Sequence, residues 1–151
     1  MANSQAMCTS FKVEILGGVH AIGTPPTRGT TAKDTFKAAL YLASATVNAA
    51  TTAYSATGEV SGAGYSAGGI TVTNATAPTS SGTTAYWTPS ASLTYSAVTL
   101  TTAFDAVLIY NSTQADKAVA VYTFGSQTVT AGNFILTMPT NDSSTALLRI
   151  A

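Results

Sequence analysis

Charge is what this sequence has least of. Asp, Glu, Lys and Arg make up 8% of it, against roughly 25% in an ordinary soluble domain. Six bases balance six acids, so the formal net charge is zero. Such a chain lacks the basic footprint of a nucleic-acid binder and the polybasic handle that holds a protein to an anionic membrane. Neither nucleic acid nor membrane is therefore expected as a partner. Little charge also means little self-repulsion, which suits a protein packed against copies of itself or other subunits.

Cysteine is nearly missing. Cys8 stands alone, so no disulfide can close within the chain, and folding in a reducing cytoplasm is expected. Between Met7 and Thr9, Cys8 reads as a small half-buried or buried side chain. There is no apolar run of the ~18 residues that a membrane helix needs. Met1-Ala2-Asn3-Ser4-Gln5 carries neither the positive nor the apolar region of a secretory signal.

What is present is β-prone. The 151 residues suit one domain, rich in Thr, Ser, Val and Ala and punctuated by glycine. Residues 1–10 read as an extended polar arm, and residues 11–151 as a single β-rich domain. Phe11-Lys12-Val13-Glu14-Ile15 alternates with period two and predicts a strand. Gly23 to Gly29 contains Pro25 and Pro26 and predicts an exposed loop or clasp. Asp34 to Val47 fits either period, and its β-prone surroundings favour strand. Gly58 to Gly69 is too rich in glycine for a helix and predicts turns with positive φ.

Further strands are expected at Ile70–Thr73 and Leu93–Val98, with a polar loop at Thr79–Thr84. The runs Phe104–Tyr110 and Ala118–Phe124, split by the polar turn Asn111–Lys117, predict a central hairpin that ends at Gly125. Thr128–Thr130, Phe134–Met138 and Leu147–Ile150 complete the set. The fold class is all-β: one antiparallel β-sandwich or barrel with an extended N-terminal arm.

Catalytic groups are sparse. His20 is the single histidine, and Gly64-Tyr65-Ser66-Ala67-Gly68 spells a nucleophile-elbow pattern. That pattern works between a strand and a helix, whereas here it leads into another strand-like run, so a chance match is the better reading. The carboxylates Glu14, Asp34, Glu59, Asp105, Asp116 and Asp142 are scattered. Asp34, Asp116 and Asp142 are expected to cap turns and Glu14 to lie on a solvated strand face. Glu59, beside the glycine-rich run, is the one to inspect for a buried hydrogen-bonding role. No zinc, calcium or phosphate-loop spacing occurs. No catalytic residue, cofactor or metal is expected, and the protein reads as a non-enzyme.

Three stretches carry a family resemblance: Asp34-Thr35-Phe36-Lys37-Ala38-Ala39-Leu40-Tyr41, Thr51-Thr52-Ala53-Tyr54, and the glycine-rich run from Gly58-Glu59-Val60-Ser61-Gly62 to Tyr65-Ser66-Ala67-Gly68-Gly69. Together they resemble small virion structural proteins of tailed bacteriophages, and Phe104–Tyr110 with Asp116–Gly125 continue the pattern. The resemblance implies a capsid decoration (cement) protein on the head surface of the virion. Its partner would be the major capsid protein and its state a homotrimer. Met1–Ser10 and Gly23–Thr31 are then the expected contact segments, with Phe11, Pro25, Pro26, Arg28, Tyr65 and Trp87 as contact residues. The alternative is a tail-associated or host-surface module that stacks Tyr86 and Trp87 on a glycan.

Overall fold

The computed structural model describes residues 2–16, 18–23 and 33–151. Among them the chain is all-β and antiparallel, with one short helix. In chain order the elements are β1 (Ala6–Met7), α1 (Thr9–Leu16), β2 (Phe36–Leu42), β3 (Ile70–Thr71), β4 (Thr79–Ser81), β5 (Thr84–Trp87), β6 (Leu93–Asn111), β7 (Lys117–Leu136) and β8 (Leu148–Ile150). Five strands form one sheet in the order β1-β7-β6-β2-β3, and three form a second in the order β4-β5-β8.

The frame is the hairpin β6–β7, whose strands run 19 and 20 residues. Its turn is set by Asn111, whose Oδ1 accepts from the backbone N–H groups of Thr113 and Gln114 at 3.1 and 3.2 Å. Ala115 and Asp116 then take positive φ. Near the turn both strands are apolar on both faces because other layers cover them. β2 lies on the outer edge of β6 from Phe36↔Asn111 to Leu42↔Phe104, and Ala38, Ala39, Ala106, Ala118 and Ala120 are buried there. Trp87 and Leu148 of the second sheet join the same core.

The central hairpin does not stop at Gly125. β7 continues through it to Leu136, so the segments expected as separate strands at Thr128–Thr130 and Phe134–Met138 belong to one strand up to that residue. The continuation needs repeated register shifts against β6. At two of them Ala97 and Ala131 stand at positive φ. Side chains restore the lost ladder bonds there: Asn133 Oδ1 accepts from Ala97 N, and Thr99 Oγ1 from Ala131 N.

Two other expectations are corrected. Phe11–Ile15 is not a strand but the body of α1. A strand would put Phe11, Val13 and Ile15 on one face. The helix buries Phe11 completely, half-buries Ile15 four residues on, and leaves Val13 66% exposed. The i,i+4 spacing of Phe11 and Ile15 fits the core better than the short alternation does. Thr79–Thr84 is a hairpin rather than a loop, with Ser81 opposite Thr84. Gly82, at φ +58°, supplies the positive dihedral that a two-residue hairpin turn requires at its first position.

The N-terminal arm is woven into its own fold. Ala6 and Met7 add to the edge of β7 opposite Val121 and Ala120. Asn3 donates to Leu42 O and Asp105 Oδ1 and accepts from Val47 N. Residues 2–10 therefore belong to the fold and are not a free contact arm. Of the Pro-rich segment, residues 24–32, including Pro25, Pro26 and Arg28, lie outside the described residues.

Candidate interaction surface

His20 sits in a closed polar network. Its side chain has 0% exposure, with the Phe11 ring 4.8 Å away. The Asn111 amide is oriented by the two backbone donors on its Oδ1, so its Nδ2 must face His20 Nδ1, at 2.9 Å, and Asp34 Oδ2, at 2.8 Å. An amide nitrogen only donates. His20 Nδ1 is thus an acceptor, and the proton lies on Nε2, which donates to Glu14 Oε2 at 2.8 Å. Both ring nitrogens are hydrogen-bonded within the fold and the side chain is buried.

The carboxylates here are structural. Asp34 is 5% exposed and accepts from Ala21 N as well as from Asn111 and Gln114. It ties three segments together and does not cap a surface turn. Glu14 is on the helix, not on a solvated strand face, and pairs with Lys117 Nζ at 2.5 Å. Burial pushes the Glu14 carboxyl up, but the bonds from Lys117 and His20 outweigh it and hold the group below its usual range. A depressed carboxyl stabilises the fold above its ordinary pKa, and that contribution fades as pH falls through the folded value. Asp142 does cap a turn, accepting from Ser144 N and Thr145 N at 2.7 and 2.8 Å.

Glu59 organises the glycine-rich run. Its Oε2 accepts from Tyr54 Oη at 2.6 Å. Its Oε1 accepts from Tyr65 Oη at 2.7 Å and from Gly68 N at 2.8 Å. Tyr65 Oη accepts in turn from Leu40 N, at 3.0 Å. Gly68 O takes the Tyr110 hydroxyl at 2.8 Å, and the Tyr110 and Tyr54 rings stack 4.7 Å apart. One carboxylate and its tyrosines thus pin the run to β2 and β6.

This cluster makes the fold sensitive to alkali. Burial, with the Ser55 N–H opposing and Glu59 reinforcing, raises the Tyr41 hydroxyl to about 12. Burial with Asp116 and Glu59 nearby raises Tyr110 to about 12. Tyr54, Tyr65 and Tyr95 are raised as well, by burial first and by Glu59. A raised folded pKa means the stabilisation is complete below the unfolded value, near 10, and lost as pH climbs towards the folded one. Stability measured by urea unfolding should therefore be flat up to about pH 9 and fall steeply between 10 and 12. A stability unchanged across that interval would show that these hydroxyls do not differ between the folded and unfolded chain.

The expected contact residues separate. Phe11 is 0% exposed and Trp87 3%. Trp87 Nε1 donates to Thr76 O at 2.8 Å, and its ring packs on Phe36. Neither side chain is available at the surface. Tyr65 is half-buried with its hydroxyl turned inward to Glu59. Ser66 is exposed, and no hydrogen bond joins it to His20, whose ring nitrogens are taken by Glu14 and Asn111. Among the described residues no group of three His, Cys, Asp or Glu converges as metal ligands would.

A surface emerges that these single residues did not mark. No charged residue lies between Glu59 and Asp105, or between Lys117 and Asp142. These two stretches are the glycine-rich run, the second sheet's hairpin, and the far halves of β6 and β7. The far half of the β6–β7 ribbon is therefore free of charge along its length. Beside β7, a cleft of about 750 Å³ opens between the sheets, lined in part by Met7, Tyr122, Phe124, Leu136, Met138 and Leu147. Loss of charge is the compositional mark of interface cores. The two gaps were there to be seen in the sequence, but only the hairpin pairing brings them side by side. No protein-family model, no curated protein and no solved structure matches the chain.

Proposed function

We propose that this chain is a decoration protein of a tailed bacteriophage, seated on the outside of the virion head and bridging neighbouring major capsid subunits. The observation that carries a binding role is the charge-free far half of the β6–β7 ribbon. The resemblance of Asp34–Tyr41, Thr51–Tyr54 and Gly58–Gly69 supplies the particle. A cement protein acts through contacts spread over several subunits, gaining avidity from effective concentration. It needs no reacting group. Glycan recognition draws less support, because Trp87 is turned into the core.

The test is sedimentation of the purified chain with heads assembled from the major capsid protein alone. Saturable binding and a higher disruption temperature of the decorated heads are expected. Heads that neither bind the chain nor gain heat resistance would remove the capsid reading. Binding to host cells or their surface glycans instead would replace it. Deleting the first ten residues, however, should abolish folding and not merely attachment, because Asn3, Ala6 and Met7 are tied into β2, β6 and β7.

A further inference from the structure

β7 has two edges, and only one is used along its full length. The inner edge pairs with β6 from Lys117 to Leu136. The outer edge pairs with β1 at Ala120 and Val121, and from Tyr122 to Leu136 it pairs with nothing among the described residues. At about 3.4 Å per residue this is an open edge of roughly 50 Å. Natural edges of that length are guarded by lysine, by proline or by a covering element. From Ala118 to Met138 there is no charged residue and no proline. The guards it does have are irregularities of the kind that twist an edge away: Ala131 at positive φ, and the register shift that sets Thr123 and Gln127 of β7 against Ala106 and Phe104 of β6.

We propose that a second copy of this chain covers this edge, the two β7 strands pairing antiparallel about a two-fold axis near Val129. Strand addition draws on two features, free main-chain groups and a place for alternate side chains. The edge supplies the first. The cleft lined by Tyr122, Phe124, Leu136 and Met138 lies beside it and supplies the second.

The partner must offer a long, extended, uncharged edge, and this chain presents one. The outer edge of β6 does not qualify. β2 covers it from Phe104 to Asn111, and the glycine-rich run lies against it further on. There Thr99 N donates to Ala63 O at 2.8 Å, and a Cβ on Gly62 would stand 2.0 Å from Thr99 O. That leaves β7 to meet β7, an isologous contact that closes at two copies. Neither strand brings charge to repel the other, and the chain's zero net charge adds no long-range repulsion.

The pairing is tested by light scattering on the purified chain and on the double variant Thr128→Lys/Thr130→Lys. Both threonines are exposed in the single chain. The native protein should have twice the chain mass and the variant the chain mass, with Trp87 emission unchanged. Four lysines facing one another across the axis would forbid the pairing. Separately, single cysteines at Thr128, Val129 or Thr130 should form a covalent dimer on mild oxidation. The native Cys8 is 0% exposed and contributes no background. A native monomer, a trimer, or an oligomer indifferent to the two lysines overturns the proposal. Should the lysine variant fail to fold, the cysteines decide: absence of cross-linking at all three positions also overturns it. Head binding is a separate matter, since a monomer could still bind capsids.

Discussion

Gly69→Ala is expected to cost about 4 kcal/mol or more, a large share of the roughly 5–15 kcal/mol that holds an ordinary domain folded. Gly69 has φ +70°, which alone costs an alanine about 1 kcal/mol or more. The larger part is steric. A Cβ there would stand 1.7 Å from Ala38 O and 2.8 Å from Ala39 Cα. That backbone cannot retreat. Ala38 and Ala39 are paired on their other side with Ile109 and Leu108 of β6, and Ala38 O already accepts the buried Tyr95 hydroxyl at 2.9 Å. Relief requires lifting β3 off β2 or displacing β2 from the centre of the sheet. Gly82→Ala is the matched control. Gly82 also has positive φ, +58°, but nothing lies within 4 Å of its added Cβ. It should lose only the backbone term, about 1 kcal/mol. Urea unfolding followed through Trp87, the single tryptophan, reads both. Equal losses for the two variants would mean that Gly69 is needed for its dihedral alone.

The contrast between Gly69 and Gly82 also shows what could be read without coordinates. That the Gly58–Gly69 run needs positive φ follows from composition. Gly58, Gly64, Gly68 and Gly69 all take it. That Gly62 and Gly69 also admit neighbouring carbonyls to within contact distance depends on which strands the run crosses, and no local pattern encodes that. The same division runs through the strands. β2 and the turn-proximal halves of β6 and β7 are buried on both faces, so their apolar runs stand out. The far halves are covered on one side at most, and their Thr, Ser and Gly break the pattern into short pieces, so Leu93–Val98, Thr128–Thr130 and Phe134–Met138 stood out as separate strands. Their continuity comes from pairing with each other, which is why Gly125 seemed an end. Thr79–Ser81 is exposed throughout and gives no apolar signal, so its hairpin with β5 read as a loop. Phe11–Ile15 failed differently. Five residues carry both a period of two and an i,i+4 pair, and only the fit of Phe11 against His20 and the core decides between them.

The polar networks were less legible still. Asp34, Asn111 and His20 are far apart in sequence and ordinary in type, and their meeting follows from Phe36↔Asn111 pairing across β2 and β6. Glu59 was visible as an isolated carboxylate beside a flexible run, which is unusual because a lone charge there needs a reason. The proposed contact surface was hidden for another cause. Single aromatic residues draw attention, yet Phe11 and Trp87 serve the core. The informative feature was the spacing between charges.

Glu59→Ala should be the second most damaging substitution, lowering stability by about 3 kcal/mol, because it strands several donors at once. Gly68 N and the Tyr65 hydroxyl share Oε1, and Tyr54 holds Oε2. Tyr65 cannot simply turn to a new acceptor, since it is held in place by the bond from Leu40 N. Gly68 is held from the other side by Tyr110 through its carbonyl. Glu59→Gln should be far milder, at about 1 kcal/mol, the difference between a charged and a neutral acceptor. Its Oε1 can keep Tyr65 and Gly68. Its Nε2 can donate to Tyr54, whose hydroxyl accepts as readily as it donates. The ordering Ala worse than Gln separates hydrogen bonding from charge, and the alkaline transition separates it again. The Glu59 carboxylate helps to raise Tyr54, Tyr65 and Tyr95, so in Glu59→Gln these hydroxyls should ionise at lower pH, seen by absorbance at alkaline pH. Equal destabilisation by Ala and Gln, with the tyrosine titration unmoved, would show that Glu59 does not hold the glycine-rich run in place. The run's close approach to β6 would then rest on its missing side chains at Gly62 and Gly64 alone.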